Sequence, residues 1–245
     1  MTQTSVPYDK TLFFKKIFTF LKYLILLAIV IGFIELGIFL KTKYNELPIE
    51  KIKVVATYEH IQPKVLQNII TPSVTNNFFG LDLVGLKNRI LLQPWVKHVT
   101  VKRAWPNTIE ITIYEQKAVG NWENEALLND EGELFRPPKE SFPDGLPLFS
   151  APPEYVKAAL QEYQKLQDII SPLSWKIVGI NLDELLSWRI ILNNGSNIFL
   201  GNEDIEERLE EFVKSYSKVK TKTNNHDKIE SIDLRYQNGF AIKWD

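Results

Sequence analysis

Residues 93–122 read QPWVKHVTVKRAWPNTIEITIYEQKAVGNW. Val99 and Val101 alternate with Thr100 and Lys102, and Ile109, Ile111 and Ile113 alternate with Glu110, Thr112 and Tyr114. A period of two places each apolar set on one face of a strand, and Trp105-Pro106-Asn107 between them is turn chemistry. The segment therefore predicts a hairpin with one buried face. Upstream the period changes to that of a helix. Asp82 is a suitable N-cap for a helix with Leu83, Leu86, Ile90 and Leu91 on one side, ending near Pro94. Before it, Pro63 opens a short helix carrying Val65, Leu66, Ile69 and Ile70, stopped by Thr71-Pro72. Earlier still, Ile52, Val54 and Ala56 alternate as in a half-buried strand. The order strand, helix, helix, strand, strand describes a small sheet covered on one face by two helices.

C-terminal to the hairpin the pattern is mostly extended. Trp122 and Leu127-Leu128-Asn129 lead into the turn Asp130-Glu131-Gly132 and then Leu134-Phe135. Residues 137–153 carry six prolines, which marks a connection. Pro152-Pro153 opens a helix with Val156, Ala159, Leu160, Tyr163, Leu166 and Ile170 on one face, closed by Ser171-Pro172. Ile177–Leu182 reads as a strand, and Asn193-Asn194-Gly195 joins Trp188–Leu192 to Ser196–Leu200 as a hairpin. A helix over about Glu203–Lys218 presents Ile205, Leu209, Phe212, Val213 and Tyr216. Ile229–Tyr236 and Phe240–Trp244 flank the turn Gln237-Asn238-Gly239, and Phe240, Ile242 and Trp244 share a face. The fold class is α+β, the second region being a mostly antiparallel β domain with flanking helices.

Ahead of both regions lies YLILLAIVIGFIELGIFL, Tyr23–Leu40, bounded by Lys22 and Lys41 and interrupted only by Glu35. This approaches the roughly 20 residues that cross a bilayer. It exceeds the apolar region of about 7–15 residues found in a cleaved signal peptide, so it reads as a retained anchor. A charged Glu35 would cost on the order of 2–3 kcal/mol at the bilayer centre, which favours a protonated side chain or one turned to a partner helix. Lys10, Lys15, Lys16 and Lys22 on one side balance Lys41, Lys43, Lys51 and Lys53 on the other, so lysine bias leaves the orientation open. A short tail before a long folded portion is compatible with an N-terminus inside the cell.

The chain has 245 residues, a formal net charge of -1 and 44% hydrophobic residues, a balance that supports real cores and offers no basic stripe for nucleic acid. It contains no cysteine, which excludes disulfides, thiolate metal sites and cysteine nucleophiles. His60, His98 and His226 lack the spacing of a helical metal pair. Ser215-Tyr216-Ser217-Lys218 fits the bare S-x-x-K pattern of penicillin-binding enzymes, but no K-T-G follows. No Gly-rich phosphate loop occurs, so no cofactor, metal or small-molecule substrate is expected. Asn194-Gly195-Ser196 satisfies a glycosylation pattern but is explained as a turn, and the acidic Glu203, Asp204, Glu206 and Glu207 suit the first turn of a helix. The six tryptophans are expected mostly in cores, except Trp244, which ends a strand expected at a sheet edge.

Pro94-Trp95-Val96, Arg103-Ala104-Trp105-Pro106-Asn107, Glu115 and Trp122 follow one another in a pattern that resembles the FtsQ/DivIB family of bacterial division proteins. SWRIILNNGSNIFLG, from Ser187 to Gly201, resembles the S-W hairpin of that family with its L-G end, and IDLRYQNGFAIKW, from Ile232 to Trp244, resembles its terminal signature. The resemblance covers most of residues 50–245 and implies a POTRA domain, β-α-α-β-β, followed by a β domain. The expected division is a cytoplasmic tail 1–22, a transmembrane helix 23–40, a POTRA domain 48–117 and a C-terminal β domain 118–245.

The resemblance also implies a function without catalysis. The protein is expected in the bacterial inner membrane as a single-pass type II protein at the division septum, with both domains in the periplasm. Its partners would be FtsB and FtsL, received by strand addition at the terminal strand, with other divisome proteins reached through the POTRA domain and the transmembrane helix. Carried over motif by motif, the partner-binding residues are Arg235, Tyr236, Gly239, Ala241, Ile242 and Trp244, with Ser187, Trp188 and Phe212 beside them. The sequence departs from the family pattern at Leu185-Leu186 and at Gly201-Asn202-Glu203, where more basic residues are expected. Two other readings remain at this stage. An anchored envelope enzyme would need a pocket of converging titratable groups, and a different POTRA-bearing assembly or transport factor would lack the terminal signature.

Overall fold

A computed structural model describes residues 10–45, 47–74, 77–220, 228–236 and 239–244. His226, the turn residues Gln237 and Asn238, and residues 1–9 of the expected tail lie outside the described residues. Helix α1, Lys10–Asn45, runs for 36 residues. Its stretch Phe18–Thr42 is long and apolar enough to cross a membrane, and every side chain in it is exposed. A stretch of helix that is apolar all round and covered by none of the other described residues is suited to lipid.

The next elements are β1 (Lys51–Val55), α2 (Pro63–Ile70), α3 (Leu83–Leu91), β2 (Val96–Ala104) and β3 (Thr108–Glu115), with sheet order β1-β3-β2. This is the order read from the sequence. β1 runs parallel to β3, Lys51 opposite Thr108 and Val55 opposite Thr112. The N-cap at Asp82 is made: its Oδ1 accepts the Gly85 amide at 2.9 Å. β3 is central, so Ile109, Ile111 and Ile113 are buried, whereas Ile52 and Val55 on the edge strand β1 are exposed.

One compact unit takes in the chain through Val55, Lys64–Arg89 and Thr100–Thr112. Within it Leu66, Ile70, Phe78, Leu81, Leu86, Ile109 and Ile111 are buried. Arg103 holds this unit together. Its Nε donates to the Phe78 carbonyl at 2.8 Å, and its Nη2 donates to the carbonyls of Phe79 and Leu81 at 2.9 and 2.8 Å. The guanidinium thus satisfies three backbone acceptors of an irregular segment. Phe78 in turn donates its amide to the Leu47 carbonyl at 2.8 Å.

The second unit contains Ala56–Pro63, Ile90–Val99 and everything from Ile113 onward. Its sheet is built from β4 (Ala118–Trp122), β5 (Ala126–Asn129), β6 (Leu134–Phe135), β7 (Leu148–Ser150), β8 (Ile177–Leu182), β9 (Trp188–Leu192), β10 (Asn197–Gly201), β11 (Ile229–Asp233) and β12 (Ala241–Trp244). The order is β12-β11-β10-β9-β8-β7-β4-β5-β6. Five neighbouring pairs are antiparallel, and β4–β7, β7–β8 and β10–β11 are parallel. The parallel pairs β7–β8 and β10–β11 are each connected through a helix, α4 (Val156–Ile170) and α5 (Ile205–Lys220), because a short turn cannot return the chain in the same direction. β7 rises from the Pro-rich connection at Leu148, which sequence alone did not reveal as a strand. Phe149, Leu160, Leu166, Ile170, Ile180, Ile190, Ile198, Leu209, Phe212 and Ile232 form the core.

Buried polar groups fix several of the loops of this unit. The Glu115 side chain is 4% exposed, and its carboxylate accepts the Thr57 hydroxyl at 2.7 Å and the amides of His60 and Glu59 at 2.8 and 3.3 Å. Burial pushes its pKa up, but these hydrogen bonds outweigh that and leave it below the ordinary range. His60 stacks on Trp95 at 3.8 Å, and Trp95 donates its indole N–H to Ser141 Oγ. Asn129, fully buried, accepts the amides of Glu131 and Glu133 and donates to Gln116 Oε1.

Candidate functional site

The strand β12 lies at one end of the sheet and pairs only with β11: Ala241 faces Asp233, Ile242 faces Ile232 and Trp244 faces Ile229. Among the described residues no strand covers its outer side. Alternation divides its side chains. Ile242 and Trp244, with Phe240 just before them, turn to the helix-covered face and pack partly on the core, whereas Ala241 and Lys243 are exposed on the other face. Half-buried apolar groups at an open edge leave both backbone and side chain for another chain to complete. Lys243 pairs with Glu230 at 2.7 Å.

Beside this edge is a groove of 370 Å³ lined by Arg208, Glu211, Phe212, Ser215, Leu234, Tyr236, Gly239 and Phe240. Its floor is aromatic. Phe212 is fully buried, with Phe240 edge-on at 5.1 Å and Tyr216 at 5.4 Å, and Trp175 lies 5.0 Å from Tyr216. Phe212 therefore supports the groove from beneath rather than presenting a surface. Arg208, Glu211, Phe212 and Ser215 recur at helical spacing, so one face of α5 makes one wall. Tyr236, which also lines the groove, stands exposed.

Arg235 sits at the end of β11. Its Nε and Nη2 donate to the two carboxylate oxygens of Asp233 at 2.9 and 2.6 Å, and its guanidinium lies 5.3 Å from the centre of the Phe199 ring. The side-chain hydrogen bonds from Arg235 hold the Asp233 carboxyl below its usual range. Gly201 explains how β10 ends here. Its φ of +85° is one that other residues rarely adopt, and a Cβ would stand 3.3 Å from Arg235 Cγ.

Arg235, Tyr236, Gly239, Ala241, Ile242 and Trp244 are thus gathered at one end of the sheet, with Phe212 below them. Ser187 and Trp188 are not in the groove. Trp188 begins β9, opposite Gly201, and β9 is the fourth strand from the β12 edge. The adjoining turn exposes Leu185 at 80% and holds Leu186 at a φ of +58°. Sequence reasoning missed Arg208, Glu211 and Ser215 as lining residues. The period of α5 contained that signal, but only the strand pairing shows which helical face borders the edge. Trp105 departs from the expectation of core tryptophans: it is 80% exposed, because it occupies the hairpin tip where no second layer reaches.

The profile described as "POTRA domain, FtsQ-type" matches residues 47–116, and that described as "Cell division protein FtsQ/DivIB, C-terminal" matches residues 119–235. The second match stops before the terminal strand. A protein of Coxiella burnetii named cell division protein FtsQ is 34% identical over 198 residues, which covers 81% of each chain. Proteins of the same name from Hahella chejuensis and Aliivibrio fischeri are 26% identical over 239 residues and 29% identical over 204 residues. They cover 98% and 83% of this chain and 81% and 78% of their own. Two adjoining profile matches and a relative of this identity and coverage place the chain in the FtsQ family of cell division proteins.

Proposed function

We propose that the chain is a non-catalytic scaffold of the divisome that receives FtsB and FtsL at the outer side of β12 and in the groove beside it. The observation that carries this reading is the open edge of β12, whose unpaired backbone adjoins an aromatic-floored groove. Strand addition supplies main-chain hydrogen bonds, and Tyr236, Phe240 and Trp244 supply apolar area for specificity. Arg235 offers a cation at the end of the sheet, where an acidic partner residue would compete with Asp233. Arg235, Tyr236, Gly239, Ala241, Ile242 and Trp244 form the contact, Phe212 holds its floor, and Ser187 and Trp188 contribute at the margin.

In this reading residues 1–22 are cytoplasmic, α1 crosses the inner membrane and the domains 48–117 and 118–245 stand in the periplasm at the septum. The POTRA domain and α1 engage other division proteins and so link early and late components that control septal peptidoglycan synthesis.

The test is a titration of the full chain against the periplasmic segments of the FtsB and FtsL of its own organism. Tyr236→Ala is expected to weaken binding at least about tenfold, in the range of an interface hot spot, while leaving the far-ultraviolet dichroism unchanged. Trp244→Ala should do the same, with a fold check because Trp244 is half-buried. No binding by the wild-type chain would end the proposal. Binding insensitive to both variants would move the docking surface elsewhere.

A further inference from the structure

We propose that the tip of the β2–β3 hairpin, Trp105-Pro106 with Lys102 beside it, rests in the headgroup layer of the bilayer that α1 crosses. This inference depends on α1 being a membrane span.

Trp105 is the one tryptophan of six that the fold leaves almost wholly in the open, at 80% exposure. An indole combines a large apolar body with one N–H donor, which suits the boundary between lipid and water and is wasted in bulk water. Its position relative to the span is constrained by three links inside one compact unit. Leu47, two residues beyond the last residue of α1, accepts the Phe78 amide. Arg103 clamps the carbonyls of Phe78, Phe79 and Leu81 and lies two residues from Trp105. On the other side of the tip, the Asn107 carbonyl accepts the amides of Glu50 and Lys51 at 3.1 and 3.4 Å, and Asn107 Nδ2 donates to Glu50 Oε2.

Glu50 lies five steps along the chain from Asn45, at most about 18 Å when extended, so the tip is tied to the segment that leaves the membrane. The surrounding charge agrees with a phospholipid surface. Lys51, Lys53 and Lys102 outnumber Glu50 and Glu110 in the segments 50–55 and 102–110, and although Lys53 and Lys102 both reach Glu110, at 3.7 and 3.0 Å, their side chains stay 65% and 62% exposed. The contact would limit the rotation of the β1-β3-β2 sheet about the end of α1 and keep its edge strand β1, with Ile52 and Val55 exposed, close to the bilayer.

The chain has no cysteine, so single positions can be spin-labelled without background. Phe33→Cys, Trp105→Cys and Leu185→Cys are made in the full chain, reconstituted in nanodiscs of phosphatidylethanolamine and phosphatidylglycerol, and compared for accessibility to oxygen and to a nickel chelate. The expected order of the oxygen-to-nickel ratio is 33 above 105 above 185, with 105 severalfold over 185. In parallel, brominated lipids should quench the native chain more than Trp105→Phe. If position 33 reads as lipid while 105 matches 185, and the Trp105→Phe difference vanishes, the tip stands in water and the proposal fails while the span remains. If position 33 itself reads as water, the span reading fails and takes the proposal with it.

Discussion

Two hairpins of this chain carry an arginine close to an aromatic residue, and they use them in opposite ways. In the β2–β3 hairpin Arg103 turns inward and spends its donors on the carbonyls of Phe78, Phe79 and Leu81. In the terminal hairpin Arg235 turns outward, pairs with its near neighbour Asp233 and leaves Tyr236 exposed at the rim of a groove. Both arginines belong to motifs that resemble the family, so the motif itself does not say whether a residue holds its own chain or offers itself to another. Partners decide it. A guanidinium that saturates distant backbone acceptors is structural, whereas one satisfied by a carboxylate two residues away can be exchanged to a competitor at small cost.

The largest effect should come from breaking the inward arginine. Arg103→Met keeps the aliphatic stem but removes the donors to three carbonyls, and charged hydrogen bonds of this sort contribute about 2–3 kcal/mol. Amide exchange at Phe78 and Leu81 is expected to accelerate by roughly 30–150-fold, with the dichroism of the C-terminal unit unchanged. Exchange that stays slow would show that packing around Phe78 and Leu81 suffices and that Arg103 is a second surface residue.

A smaller, pH-dependent effect is expected at Glu115. Its folded pKa lies below the value near 4.3 of an unfolded glutamate, so its stabilisation is present above that value and is lost as pH falls through the lower folded one. Glu115→Gln keeps an acceptor but loses the charge, and should lower stability by about 1 kcal/mol at pH 7. Measured by urea unfolding, the gap should close as the pH falls through the depressed folded value, where the native carboxyl is itself protonated. A gap that persists in acid would mean that shape, not charge, fixes the Thr57–His60 segment.

Much of this was legible before any coordinates. The period-two runs around Trp105-Pro106-Asn107 and around Asn193-Asn194-Gly195 named their hairpins, because alternation and turn chemistry are local. The role of Arg103 was not legible, since its acceptors lie more than twenty residues away and their carbonyls leave no mark in the sequence. β7 was hidden for the same reason: Leu148–Ser150 is too short to show a period and becomes a strand only between β4 and β8. At the β12 edge the shared face of Phe240, Ile242 and Trp244 could be read from alternation, yet the groove needed α5 laid alongside it. The burial of Phe212 shows the limit clearly, because apolar spacing on a helix marks the face that meets the rest of the chain and cannot say how deeply.

The smallest stability effect, and the sharpest separation of the two hairpins, is expected at Arg235. Arg235→Ala removes an exposed ion pair, worth at most about 0.5–1 kcal/mol, and leaves Asp233 still accepting the backbone amide of residue 235 at 3.0 Å. The unfolding midpoint should therefore hardly move. If the outward arginine serves a partner, affinity for the periplasmic segments of FtsB and FtsL should fall about tenfold or more, and the loss should shrink with rising salt as screening removes the steering charge. Unchanged affinity would leave Arg235 a bystander to contacts made by Tyr236 and the β12 backbone. A midpoint that drops as far as that of Arg103→Met would remove the contrast altogether, because both arginines would then be holding the fold.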